Sequence, residues 1–129
     1  MKYLGIDYGE KNVGIAVSDD NGKLAFAKMV LKNDKQLLEN ILVFCKQEKI
    51  EAVVLGDSFD FSGQPNFVRK NILNLKKVLE EDNLRVFLEP EFLTSAEAER
   101  VQGKNDKIDA SAAALILKSY LDKQQKNVS

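Results

Sequence analysis

Three carboxylates stand at positions where an acid needs a reason: Asp7, Glu91 and Asp109. Asp7 sits inside the first apolar run, Tyr3-Leu4-Gly5-Ile6, in a stretch that reads as a β-strand. Asp is depleted in strands, and a buried charge without a partner is costly. Glu91 comes just after a later apolar run, Arg85-Val86-Phe87-Leu88. Asp109 falls in the first turn of a closing helical segment, on the face shared with Ala112, Ala113, Ile116 and Tyr120. Each acid taken alone has a plainer explanation. Asp109 would favour the helix dipole, by about 0.3–1 kcal/mol. Glu91 would be a solvated loop acid, and Asp7 would bond the backbone of its own turn. Gathered at one point the three repel, and their pKa values rise unless a cation neutralises them. Oxygen donors without His or Cys select Mg²⁺ or Mn²⁺. Two such ions roughly 3.5–4 Å apart are a known device for cleaving phosphodiesters.

Composition narrows the chemistry further. The 129 residues contain no histidine, which removes His-based triads, His general bases and most zinc sites. The single cysteine, Cys45, cannot form a disulfide within the chain. It falls on a helical apolar stripe and reads as a packed thiol. Net charge is −1, from 19 basic and 20 acidic residues. That balance argues against a large polyanion footprint but leaves room for a local basic patch. No targeting segment is visible, and no apolar run approaches ~18 residues. The expectation is a cytoplasmic protein with no membrane contact.

The elements that must position the acids follow from periodicity. Strands are expected at Lys2–Tyr8, Val13–Ser18 and Lys23–Leu31, a three-strand antiparallel meander. Gly9-Glu10-Lys11-Asn12 joins the first pair, and Asp19-Asp20-Asn21-Gly22 turns the second, Asn-Gly being a strong hairpin signal. Asn33 with Gln36 fits a capping box. It would open a helix whose apolar face carries Leu37, Leu38, Ile41, Leu42 and Cys45. The continuous run Ala52-Val53-Val54-Leu55-Gly56 suits a strand covered on both faces. A loop leads to a second helix, Pro65–Glu81, with Val68, Ile72, Leu75 and Val78/Leu79 inward. A fifth strand is expected at Arg85–Leu88, followed by a loop, Glu89–Leu93. Thr94 with Glu97 would cap a short helix ending before Gly103. The last helix is expected at Lys107–Lys123, with a polar tail, residues 124–129, that frays. The order is α/β: a five-stranded mixed sheet, the meander plus two parallel strands, with helices on both faces. One domain, residues 1–123, accounts for it.

The motifs resemble those of the YqgF/RuvX family. Gly5-Ile6-Asp7-Tyr8-Gly9 and Val13-Gly14-Ile15-Ala16-Val17-Ser18-Asp19 are similar to its opening. Leu93-Thr94-Ser95-Ala96-Glu97-Ala98-Glu99-Arg100 resembles the segment after its acidic motif. Lys107-Ile108-Asp109-Ala110-Ser111-Ala112-Ala113-Ala114-Leu115-Ile116-Leu117 resembles its closing helix. The resemblance implies an RNase H-like fold and a nuclease acting on Holliday junctions or on precursor small-subunit ribosomal RNA. It implies that Asp7, Glu91 and Asp109 hold Mg²⁺ or Mn²⁺ while water attacks a phosphodiester.

The chain also departs from the family pattern. Pro90-Glu91-Phe92 stands where Asp-Glu-Arg is usual, Asn12 where Arg is usual, and Gly56-Asp57-Ser58 where Gly-Leu-Pro is usual. Two cations and one acid near the site are thereby lost. Lys11, Asn12, Lys104 and Lys107 are the candidate nucleic-acid contacts, each otherwise an ordinary solvated residue. The departures keep a second expectation open: a nucleic-acid-binding module of the same fold with little or no catalysis. Asp7-x-Gly9 with Gly14 also resembles the first phosphate loop of the actin and hexokinase superfamily, which needs a second lobe to close on nucleotide. A symmetric junction cutter wants two sites and hence a homodimer; a single-strand RNA trimmer works as a monomer.

Overall fold

Alternation along the first strand decides which residues meet which layer. In the computed structural model, described for residues 1–58, 67–91 and 106–128, with side chains over 1–56, 70–90 and 110–125, β1 spans Tyr3–Tyr8. It is followed by β2 (Asn12–Ser18), β3 (Ala25–Lys32), α1 (Leu37–Glu48) and β4 (Ala52–Ser58). Then come α2 (Phe67–Glu81), β5 (Arg85–Glu91) and α3 (Asp106–Val128). The sheet order is β3-β2-β1-β4-β5, so β1 is central. β1 runs antiparallel to β2 and parallel to β4, β2 antiparallel to β3, and β4 parallel to β5. The meander and the two parallel strands expected from the sequence are both present.

Leu4 and Ile6 of β1 are fully buried on one face, with Val13, Ile15 and Val17 of β2 and Val53 and Leu55 of β4. Leu37, Ile41 and Cys45 of α1 and Ile72, Leu75 and Leu79 of α2 close over them. These are the stripes expected from 3.6-residue spacing; Val68 lies outside the described side chains. Burial pushes the Cys45 thiol up to about 11, with a smaller contribution from Asp82. It is a core side chain. The opposite face is made of small residues. Ala16 and Val54 pack there against Ala113, Ile116, Leu117 and Leu121 of α3, with Tyr3 and Tyr120 at the margin. Helices therefore cover both faces.

One turn reads as anticipated. Gly22 has φ +68°, which suits glycine, and its N–H donates to the Asp19 carbonyl at 3.2 Å. The Asp19 carboxylate accepts from the Lys23 and Leu24 backbone N–H groups at 2.7 and 3.0 Å. The Leu24 and Lys23 bonds hold its pKa below the ordinary value.

Other expectations need correction. α1 begins at Leu37, not Asn33, and its N-cap Gln36 makes no side-chain cap bond. Asn33 instead donates from Nδ2 to the Gly9 carbonyl at 2.8 Å, and its backbone N–H donates to the Lys11 carbonyl at 2.9 Å. β5 does not stop at Leu88. It continues through Pro90 to Glu91, because β5 is an edge strand, where a missing N–H is tolerated. α3 runs to Val128, so most of the tail expected to fray is helical. β4 runs on to Ser58, past Gly56 where a loop was expected to begin; the rest of that loop, residues 59–66, and the expected helix from Thr94 lie outside the described residues.

Candidate active site

Asp7 occupies the second-last position of β1, on the face that α3 covers. Tyr3, Gly5 and Asp7 alternate onto that face, opposite Leu4 and Ile6. The residue paired with Asp7 across β2 is Gly14. On the other flank, Leu55 of β4 pairs with Ile6, so Gly56 follows level with Asp7. Two glycines thus leave the sheet bare on either side of this acid. Its side chain is half-buried and has partners of its own.

The closeness of α3 is set two residues earlier. A Cβ added at Gly5 would stand 2.8 Å from Leu117 Cβ and 2.9 Å from the Ala113 carbonyl oxygen. Only glycine lets the helix axis approach this near. Asp109 lies one helical turn before Ala113, and Asp7 is the next residue after Gly5 on the same face of β1. Asp7 therefore lies about 6–7 Å along β1 from the Gly5–Ala113 contact, and Asp109 about 6 Å along α3 from it. Glu91 is the last residue of β5 and pairs with Ser58 of β4. It is two strands from β1 and two residues beyond Glu89, which pairs with Gly56. Sheet spacing puts the Asp7 and Glu91 Cα positions about 12 Å apart. The carboxylates of Glu91 and Asp109 lie outside the described side chains. Among the described residues no three acid or thiol groups cluster as a metal centre.

Of the candidate nucleic-acid contacts, Lys11 is exposed on the β1–β2 connection and Asn12 is exposed at the start of β2, four and five residues after Asp7. This connection is tightly built. A Cβ at Gly9 would meet the Asn12 carbonyl oxygen at 2.5 Å. Asn33, just past the end of β3, ties both Gly9 and Lys11. Lys107 lies in the first turn of α3, without a described side chain, and Lys104 lies outside the described residues.

Sequence reasoning passed over Glu89, placing it in a loop. It is 3% exposed, on β5, and its Oε1 accepts from Ser119 Oγ of α3 at 3.2 Å and from Lys123 Nζ of α3. Nearby, Phe87 stacks on Tyr120 with ring centroids 5.2 Å apart. Burial, then the neighbouring Tyr3 and Glu89, push the Tyr120 phenol above its ordinary pKa. The alternation Arg85-x-Phe87-x-Glu89 carried the signal, had the strand been extended past Leu88.

Strand order, mixed polarity and the acid on the central strand define an RNase H-like α/β fold. Two solved structures share it. Thermus thermophilus RuvC in complex with Holliday junction substrate matches with a TM-score of 0.65 at 19% identity, covering 97% of this chain and 96% of that one. The fowlpox virus resolvase in complex with substrate Holliday junction DNA matches with a TM-score of 0.59 at 15% identity, over 96% and 99%. Residues 1–123 match the family described as RuvX, Holliday junction resolvase, and the chain belongs to that family. A relative from Nitratidesulfovibrio vulgaris is 34% identical over 95% of this chain and 94% of its own. A second, from a Sulfurihydrogenibium species, is 33% identical over 95% and 90%. Both bear the name "Putative pre-16S rRNA nuclease".

Proposed function

We propose that this protein is a divalent-metal-dependent endonuclease acting on structured nucleic acid, either four-way DNA junctions or precursor small-subunit ribosomal RNA. The observation that carries the reading is the setting of Asp7. It stands on the central strand with Gly14 paired beside it and Gly56 on its other flank, beneath the helix that bears Asp109. Glycine at both cross-strand positions keeps side chains of β2 and β4 from crowding this carboxylate within the sheet. Family membership and the names of the relatives point the same way.

The donor set fits the ion. Asp7, Glu91 and Asp109 offer only hard oxygens, and the chain has no histidine to draw zinc. When bound, Mg²⁺ or Mn²⁺ supplies Lewis acidity at the phosphodiester and a more acidic water. Asp7, Glu91 and Asp109 are the residues that would hold it. Lys11, Asn12, Lys104 and Lys107 would contact the phosphate backbone and position it.

Incubating labelled junctions and precursor RNA with Mg²⁺ or Mn²⁺ tests the proposal. Cleavage that needs the ion and disappears in Asp7→Asn supports it. Failure to cut every substrate with either ion defeats it. A second reading, a binding module with little catalysis, is favoured by the neutral Asn12 and by Pro90 and Phe92 flanking Glu91. Nucleic-acid binding that survives Asp7→Asn, with no nicking by the wild type, would select it. Light scattering separates monomer from homodimer, the latter expected of a symmetric junction cutter.

A further inference from the structure

The cluster of Glu89, Ser119 and Lys123 is the one buried ionic group of the described residues that the proposed chemistry leaves unused. Its placement joins two elements that matter. Glu89 belongs to β5, two residues before Glu91, while Ser119 and Lys123 belong to α3, the helix that bears Asp109. β5 is an edge strand with a single neighbour in the sheet, so its seating depends also on the helices over its two faces, α2 on one and α3 on the other. The Phe87–Tyr120 stack and the Glu89 cluster are contacts of that kind. Glu89 is also level with Asp7 in the sheet, with Gly56 between them. Its side chain is 4% exposed and that of Lys123 57%. The acid is therefore fixed by its surroundings, and the lysine reaches in from the surface to neutralise it. A buried carboxylate needs both charge pairing and hydrogen bonds to be tolerated, and this one has both.

We propose that Glu89 is a positioning residue: through Ser119 and Lys123 it docks the edge strand β5 onto α3 and so fixes the spacing between the acid at the end of β5 and the acid in the first turn of α3. The proposal rests on the nuclease reading for its consequence, a metal site whose ligand spacing depends on this latch. Groups that orient ligands without touching the metal are worth about 10–100-fold in affinity.

The test is Mn²⁺ binding by electron paramagnetic resonance, with no nucleic acid present, alongside amide hydrogen exchange on the same proteins. Glu89→Gln and Lys123→Met should each weaken Mn²⁺ binding by about tenfold and lower exchange protection across Arg85–Glu91, leaving β1 and β2 protected. Lys123→Arg keeps the charge and should restore both readouts. Ser119→Ala removes one bond, folds without strain, and should move both in the same direction by a smaller factor. Wild-type Mn²⁺ affinity in folded Glu89→Gln overturns the proposal. Tighter binding in Lys123→Met overturns it too, because Glu89 would then be a ligand that the lysine withholds. If the wild type takes up no Mn²⁺, the nuclease reading fails on its own account. The docking is then judged by exchange alone: lost protection in β5 upholds it, and unchanged protection refutes it.

Discussion

Gly5→Ala is the sharpest test of how α3 is seated. In an open strand position, alanine in place of glycine stabilises by roughly 0.5–1 kcal/mol, because the unfolded chain loses less freedom on folding. Here the added Cβ would lie 2.8 Å from Leu117 Cβ and 2.9 Å from the Ala113 carbonyl oxygen. Carbon contacts settle at about 3.5–4.0 Å, so one partner must retreat by roughly 0.7–1 Å. Neither obstacle is the tip of a flexible side chain: one is helix backbone and the other a Cβ fixed to it. The whole helix must shift, at an overpacking cost of about 1–3 kcal/mol. Denaturant melts should therefore show destabilisation by about 1–3 kcal/mol, opposite in sign to the open-strand expectation. The helix that moves carries Asp109, and a displacement near 1 Å can cost about a hundredfold in rate. Metal-dependent cleavage should fall on that scale. The double variant Gly5→Ala/Leu117→Ala should not recover, since alanine keeps the offending Cβ. Stability equal to or above wild type in Gly5→Ala, or rescue by Leu117→Ala, would refute the close seating of α3.

Further outcomes follow from other contacts. Asp7→Asn should reduce metal-dependent cleavage at least about a hundredfold, near 2.7 kcal/mol of barrier, and should abolish the rise in melting temperature on adding Mn²⁺. Asn33→Ala removes the bond from Nδ2 to Gly9. It should cost about 1 kcal/mol by urea melt and weaken nucleic-acid binding by loosening the connection that carries Lys11 and Asn12. Cys45 should resist a thiol reagent at pH 8 until the protein unfolds, because burial raises its pKa from 9.0 to about 11. The sign for stability follows from the same shift. The unfolded thiol ionises first, so stability is undiminished below about pH 9 and falls as pH climbs toward about 11. Cys45→Ser should flatten that alkaline slope.

Local pattern was a good guide where local pattern decides. The β1–β2–β3 meander, the Asn-Gly turn and the stripes of α1 and α2 rest on neighbours close in sequence. The misreadings share a different cause. Asn33 has the type and spacing of a helix cap, but it spends its amide on Gly9, a partner no nearby residue announces. Pro90 looks like the end of a strand, yet an edge strand has no use for its missing N–H. Glu89 looks solvated because its partners, Ser119 and Lys123, lie a helix away. For the candidate site, the oddity of Asp7 was legible from its type alone. The close seating of α3 on β1 was not, because it depends on Gly5 meeting Ala113 and Leu117.

That meeting has a bearing on motion. The strands of the meander hold one another through their own ladders, whereas α3 is held to the sheet by side chains alone: the apolar contacts around Ala113 and Leu117, the Phe87–Tyr120 stack and the Glu89 cluster. A transient opening that lifted only this helix could spare every ladder of the meander and still displace the turn that bears Asp109. Cutting would then stop well before the protein melted, and the temperature at which activity fades would report the undocking of one helix.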